Sequence, residues 1–137
     1  DDALGVVSLV LKNNNFVVGG GIAYARMAAH LRQHAAQIGG RAQMAIEAFA
    51  DALEVIPATI SENAGHDPLD TILAMRHEIL RGNTNYGPNV EDGGVTDLSA
   101  LGVFEPTELI KQAVLSASEV TNSILRIDDI VARRPLE

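Results

Sequence analysis

Residues 45–60 read AIEAFADALEVIPATI, and this stretch decides the fold class. Ile46, Phe49, Leu53, Ile56 and Ile60 recur at spacings of three and four, which places them on one stripe of an α-helix. Burying one large apolar side chain contributes about 1.5–3 kcal/mol, so the stripe supplies on the order of 10 kcal/mol before ordering entropy is subtracted. The helix is therefore expected to face a core. Pro57 falls inside the pattern, where it deletes a backbone donor and crowds the preceding turn, so a kink or break is expected near Ile56. Gly65 supplies a C-terminal cap.

Upstream, the spacing of Met27, Leu31, Ala35 and Ile38 predicts a helix from about Ile22 to Ile38, ended by Gly39-Gly40. Before it come a first helix from Asp2 to about Lys12, the turn Asn13-Asn14-Asn15, an extended Phe16-Val17-Val18 and the run Gly19-Gly20-Gly21. Downstream, Asp67-Pro68-Leu69-Asp70 has an acidic N-cap, a proline at the first helical position and a second carboxylate in the first turn. That helix should run to about Arg81 and stop at Gly82. From Asn83 to Leu101 turn residues dominate, and Asp92-Gly93 between Asn89-Val90 and Val95-Thr96 predicts a small β-hairpin. A last helix starts at Pro106 and carries Ile110, Ala113, Val114, Ala117, Val120, Ile124, Ile127 and Val131 along one face. With no internal repeat or linker, the expected class is mostly α, a helical bundle with one small β-hairpin.

The length of 137 residues suits one domain. Cysteine is absent, so disulfides and thiolate chemistry are excluded, and a reducing, cytoplasmic setting is expected. Eighteen Asp+Glu against ten Lys+Arg give a net charge of −8, whose field repels phosphate backbones and anionic lipid, so neither nucleic acid nor membrane is an expected partner. The longest apolar run, Ala3 to Leu11, falls short of the roughly 20 residues that span a bilayer and is interrupted by Gly5 and Ser8. The start, Asp1-Asp2, lacks the basic region of a signal peptide and an initiator Met, and reads as a cut; residues 133–137 read as a tail or cloning remnant.

Local chemistry is sparse. Gly19-Gly20-Gly21 precedes a helix and leaves two readings open: backbone N–H groups approaching an anion or nucleotide, or a tight turn that lets two helices pack closely. It matches neither the P-loop nor the dinucleotide fingerprint. His30 and His34 share a helix face, but Leu31-Arg32-Gln33 between them offers no general base; a solvated pair is expected, with no metal, and His66 and His77 are expected at the surface. None of the six serines sits in a Gly-x-Ser-x-Gly context. Asp1-Asp2 and Asp128-Asp129 are carboxylate pairs that can hold a cation or orient water, or simply be solvated.

The assembled string is far more specific. Asp2-Ala3-Leu4, VVGGG at 17–21, AIEAFADALEVIP at 45–57, ENAGHDP at 62–68, GVFEP at 102–106 and ILRIDD at 124–129 together resemble the C-terminal part of a chaperonin equatorial domain. Residues 1–132 are covered, with about 1–12 as the end of the last intermediate-domain helix. ENAG and ILRIDD resemble the group II, thermosome-like branch, or its bacterial relatives, more than group I, whereas Ile22-Ala23-Tyr24-Ala25-Arg26 is closer to group I. The resemblance implies an ATP-dependent subunit of a double ring that folds non-native proteins, with other subunits and client proteins as partners and ATP and Mg as cofactors of the whole subunit. It implies Asp2 as the catalytic residue that helps activate the attacking water. It likewise implies Gly20, Asn89 and Glu105 as nucleotide-binding residues, lying against the nucleotide, near adenine and at the ribose hydroxyls. Pro88, just before Asn89, removes a backbone donor from that stretch. The family's Gly-Asp-Gly-Thr-Thr phosphate and magnesium loop does not occur in the 137 residues, so this chain alone is expected to be inactive as an ATPase. Some apolar surface of the helices at 46–60 and 110–131 is then expected to be exposed. The alternative reading is a stand-alone helical assembly module without nucleotide use.

Overall fold

The computed structural model describes residues 4–5 and 15–132, with side chains of the last helix described as far as residue 124. Its elements are β1 (Phe16–Val18), α1 (Ile22–Ile38), α2 (Gly40–Asn63), α3 (Pro68–Leu80), β2 (Tyr86–Pro88), β3 (Val95–Asp97), β4 (Phe104–Pro106) and α4 (Thr107–Ala132). The mostly helical class with small β elements is the expected one. The first expected helix falls outside the described residues except for Leu4 and Gly5, which are helical. The chain divides into two units, residues 17–105 and residues 1–16 with 106–137.

End signals place several boundaries. Helix α1 has the expected limits, and the Gly39 N–H closes it on the Ala35 carbonyl at 3.1 Å. Helix α3 opens on Asp67, whose Oδ1 accepts from the Leu69 and Asp70 N–H groups at 2.8 and 3.2 Å. The hairpin exists, but its first strand lies earlier than the sequence suggests: Tyr86 pairs with Asp97, Gly87 with Thr96 and Pro88 with Val95, antiparallel. The turn thus spans 89–94. Strands β1 and β4 form a second two-stranded sheet; β4, only three residues long, was not anticipated from periodicity.

Two expectations about α2 need correcting. The helix runs unbroken through Pro57 from Gly40 to Asn63. Pro57 lies on the buried face, where Gly21 comes so close that a Cβ there would stand 2.9 Å from both the Pro57 nitrogen and Cβ. The missing N–H is therefore at a place filled by neighbouring backbone. The second correction is rotational. The buried face carries Ala50, Leu53, Glu54, Pro57 and Ser61, whereas Ile56 is 43% exposed and Ile46, Phe49 and Ile60 are half-buried. On α1 the buried residues are Ile22, Ala25, Ala28 and Ala35, with Met27 and Leu31 half-buried and Ile38 exposed. Small side chains on facing helices favour close approach over large-chain interdigitation.

Glu54 explains the rotation. Its carboxylate is 5% exposed and receives Arg76 Nε at 2.9 Å and Arg76 Nη2 at 2.7 Å, together with Arg32 Nη2, which also meets Asp51 at 2.6 Å. Side chains from α1, α2 and α3 thus converge on one buried charge. At the other end of the α2–α3 pair, Ser61 and Thr71, both buried, share a hydrogen bond of 2.7 Å, and the Thr71 hydroxyl donates to the Asp67 carbonyl at 3.2 Å. The apolar core of this unit is Ile22, Ala25, Ile72, Met75 and Leu98, with Val18, Ala58, Ile79 and Val95 against it.

In the other unit α4 starts one residue after the expected Pro106 and runs for 26 residues. Ile110 is buried and Val114 half-buried, but Ala113, Ala117, Val120 and Ile124 of the expected face are exposed, as is Leu115. The expected exposure of apolar surface is thus present on α4, and at Val55 and Ile56 on α2. Among the described residues no helix is long and apolar enough to cross a membrane.

Burial alone would raise the Glu54 carboxyl, but the hydrogen bonds from Arg76 and Arg32 outweigh it and hold it below its ordinary 4.5. A depressed folded-state value means that this stabilisation is present above 4.5 and is lost as pH falls through the folded value. Glu54→Gln should therefore lower stability at pH 7 by about 2 kcal/mol, the scale of a lost charged hydrogen-bond set. Urea unfolding from pH 3 to 7 should show a flatter acid limb in the variant than in the parent.

Candidate functional site

The site is built around the turn between β1 and α1. Gly20 and Gly21 have φ of 75° and 81°, a region that costs other residues about 1–2 kcal/mol. Gly21 is held against Pro57 as described above. At Gly20 an added Cβ would run into Leu98 Cδ1 and lie 3.8 Å from Pro88 Cδ. At Gly19 it would lie 3.1 Å from Val103 Cγ1 and 3.6 Å from the Phe104 carbonyl carbon, and the Gly19 N–H donates to the Val103 carbonyl at 2.9 Å. Gly87 continues the pattern, since a Cβ there would be 2.7 Å from Leu98 Cδ1 and 2.9 Å from Ile22 Cγ1. The glycines are thus first a packing device. The helix-packing reading of the triple glycine holds at Gly21, against Pro57 of α2, whereas the space that a Gly20 side chain would take is filled by Leu98 from the turn after β3.

A Cβ added at Gly20 would lie near Pro88, the residue before Asn89, and one added at Gly19 near Phe104, the residue before Glu105. Asp2 lies outside the described residues. His30 and His34 are exposed on α1.

Glu105 is the most unusual side chain. Its Oε1 is buried and accepts no hydrogen bond, and burial holds the carboxyl above its ordinary 4.5. Tyr24, half-buried one turn into α1, has its phenol raised above 10.0 by burial and then by the Glu105 charge. A buried acceptor without a donor carries a desolvation cost, and a ligand bearing hydroxyl donors would relieve it.

Asn89 is half-buried, and its Oδ1 accepts from the Glu91 and Asp92 N–H groups at 3.1 and 3.3 Å. Its own N–H donates to the Gly94 carbonyl at 3.1 Å, and its carbonyl accepts from Gly93 at 3.0 Å. His66, expected at the surface, is half-buried and makes an exposed contact there, with Nε2 3.2 Å from the Val90 carbonyl. Leu98 against the glycines, Tyr24 near Glu105 and His66 against the hairpin turn were not legible from sequence, because nothing in the spacing of α1 or of the loops marks these neighbours. Among the described residues no group of three His, Asp or Glu is arranged to hold a metal.

Two substitutions separate these effects. Gly21→Ala combines a left-handed backbone with collision against Pro57, whereas Gly94→Ala, at φ 68° with open space around it, meets only the backbone cost of about 1 kcal/mol. Thermal unfolding should show Gly21→Ala as the more damaging by a further 1 kcal/mol or so. Glu105 works in the opposite sense to Glu54: with a raised folded-state value, stability declines as pH rises from 4.5 through that value. Glu105→Gln should therefore raise the melting temperature at pH 8 and leave it unchanged at pH 4.

Comparison with known proteins agrees with this architecture. The profile of the TCP-1/cpn60 chaperonin family matches residues 1–135. The chain is 46% identical over 132 residues to the thermosome subunit alpha of Halobacterium salinarum, covering 96% of this chain and 24% of that protein. It is 47% identical over 133 residues to the thermosome subunit beta of Thermoplasma acidophilum, covering 97% and 24%. Its fold superposes on the open-state monomer of a group II chaperonin from Methanococcoides burtonii with a TM-score of 0.81 at 42% identity, covering 91% of this chain and 31% of that one. The chain spans about a quarter of the length of these curated relatives.

Proposed function

This chain belongs to the TCP-1/cpn60 chaperonin family, of the group II or thermosome type, and we propose that it forms the C-terminal part of the equatorial domain of an ATP-dependent folding chaperonin. In this reading residues 1–132 contribute the sugar and base sides of a nucleotide pocket, with about 1–12 as the end of the last intermediate-domain helix. The whole subunit works in the cytoplasm, in a double ring with other subunits, on non-native proteins.

The observation that carries the reading is the buried, undonated Oε1 of Glu105 beside the glycine turn. A ribose presents adjacent hydroxyls, and a carboxylate oxygen held out of water accepts from them without first giving up a protein donor. The backbone of the Gly20 turn would run along the sugar and phosphate, and Asn89 would lie at the base. Asp2 would help activate water in the assembled subunit. ATP supplies the phosphoryl group and Mg neutralises its charge; the fit is with the sugar, since the described residues offer no cluster for the metal.

Calorimetric titration of the purified chain with ADP should give a dissociation constant of roughly millimolar order, near −4 kcal/mol. Glu105→Ala should weaken it by about tenfold, or 1.4 kcal/mol. Phosphate release from ATP should stay at the buffer rate. Equal affinity of the parent and Glu105→Ala would refute the assignment of the sugar side, and hydrolysis by the chain alone would refute the division of labour.

A further inference from the structure

We infer that His66 is a positioning residue for the base side of the site, a latch by which the α2–α3 connection fixes the 89–94 turn; this rests on the nucleotide reading above. His66 lies between Gly65, with φ 84°, and Asp67, the N-cap of α3. Its backbone is fixed at both sides: the His66 N–H donates to the Ser61 carbonyl at 3.1 Å, and Asp67 is tied into the first turn of α3. The imidazole therefore projects from a rigid junction.

The ring reaches across 24 positions of sequence to the hairpin turn. Nε2 stands 3.2 Å from the Val90 carbonyl, which makes Nε2–H the donor and sets the tautomer. The other face of the contact is Gly93: at φ 80° it has no side chain, and a Cβ there would lie 3.0 Å from His66 Nδ1. The turn between these two points is the one that Asn89 closes on itself, through Oδ1 to Glu91 and Asp92 and through backbone bonds to Gly93 and Gly94. One imidazole thus bonds the Val90 carbonyl and lies close against the Gly93 backbone, on either side of the segment that Asn89 caps. Strands β2 and β3 pair over only three positions, so His66 adds to the bonds made by Asn89 an anchor from outside the hairpin.

The role differs from that of Glu105. Glu105 would meet the ligand, whereas His66 acts through the turn and only the base side should feel its loss. Glutamine places an N–H donor at a similar reach and serves as the conservative variant.

The experiment uses the full 137-residue chain, labelled with ¹⁵N, as the parent, His66→Ala and His66→Gln. Amide exchange of Asn89 and Gly93 is read first, since both N–H groups donate within the turn. In His66→Ala they should exchange at least about tenfold faster, with α1 amides unchanged, and His66→Gln should restore most of the protection. ADP and ribose 5-phosphate are then titrated separately. His66→Ala should weaken ADP roughly three- to tenfold and leave ribose 5-phosphate unchanged, again with recovery in His66→Gln. Unchanged exchange in His66→Ala overturns the latch whether or not any nucleotide binds. Faster exchange with an unaltered ADP affinity overturns its link to the base side. If the parent itself takes up no ADP, the nucleotide reading fails and the base-side role fails with it, while the exchange data still decide the latch.

Discussion

The Glu54 carboxylate sits on the buried face of a helix, where an isolated charge would be strongly disfavoured. It is tolerated there because Arg76 from α3 and Arg32 from α1 both reach it, and Asp51 balances the second guanidinium. Such clusters are weak sources of net stability but demanding in geometry, since removing one member leaves the others desolvated. Here the demand fixes how α2 is turned about its own axis. With Glu54 inward, Pro57 and Ser61 one and two turns later also face inward, and Ile56 is turned to solvent.

From that orientation the site follows by contact. Pro57 presents the surface that excludes any side chain at Gly21, and the positive φ of Gly20 and Gly21 turns the chain from β1 into α1. Leu98, reached from β3, occupies the hollow left by Gly20 and Gly87. Gly19 then hydrogen-bonds to Val103 and brings β4, with Glu105, alongside. A carboxylate buried without a donor at the end of this chain of contacts is held in place by packing that does not depend on its own hydrogen bonds. Its cost is borne by interactions elsewhere in the unit.

The sequence was most legible where local chemistry decides the outcome. Asp67 with Pro68, Gly39 and Gly82 mark helix ends because caps and turns act within a few residues. The buried faces of α1 and α2 were read less well. Apolar periodicity finds the largest side chains, whereas the faces that meet are set by alanines, by a proline without its N–H and by an ion cluster joining residues 22 or more positions apart. The hairpin was recognisable from Asp92-Gly93 and its second strand from Val95-Thr96, but its first strand was displaced because Asn89 and His66 close a longer turn than a two-residue loop. The candidate site was legible only as an ordered string of motifs. Glycine spacing alone did not distinguish packing from ligand approach, and the structure shows packing on the side-chain side of Gly20.

Asn89 illustrates how the fold narrows what a recognised residue can do. Because both neighbours at its carbonyl end are backbone N–H donors, the side-chain amide is oriented without ambiguity, with Oδ1 committed to the turn and Nδ2 directed away as the donor. In the proposed nucleotide reading, a base placed beside Nδ2 would meet a hydrogen-bond donor and present an acceptor such as a ring nitrogen to it. Pro88, which supplies no N–H of its own, adds no competing donor at that edge. Glu105 offers the converse, an acceptor for hydroxyl donors. In that proposed reading the hairpin side would donate and the β4 side would accept, and a nucleoside, with ring-nitrogen acceptors on its base and hydroxyl donors on its sugar, would satisfy both.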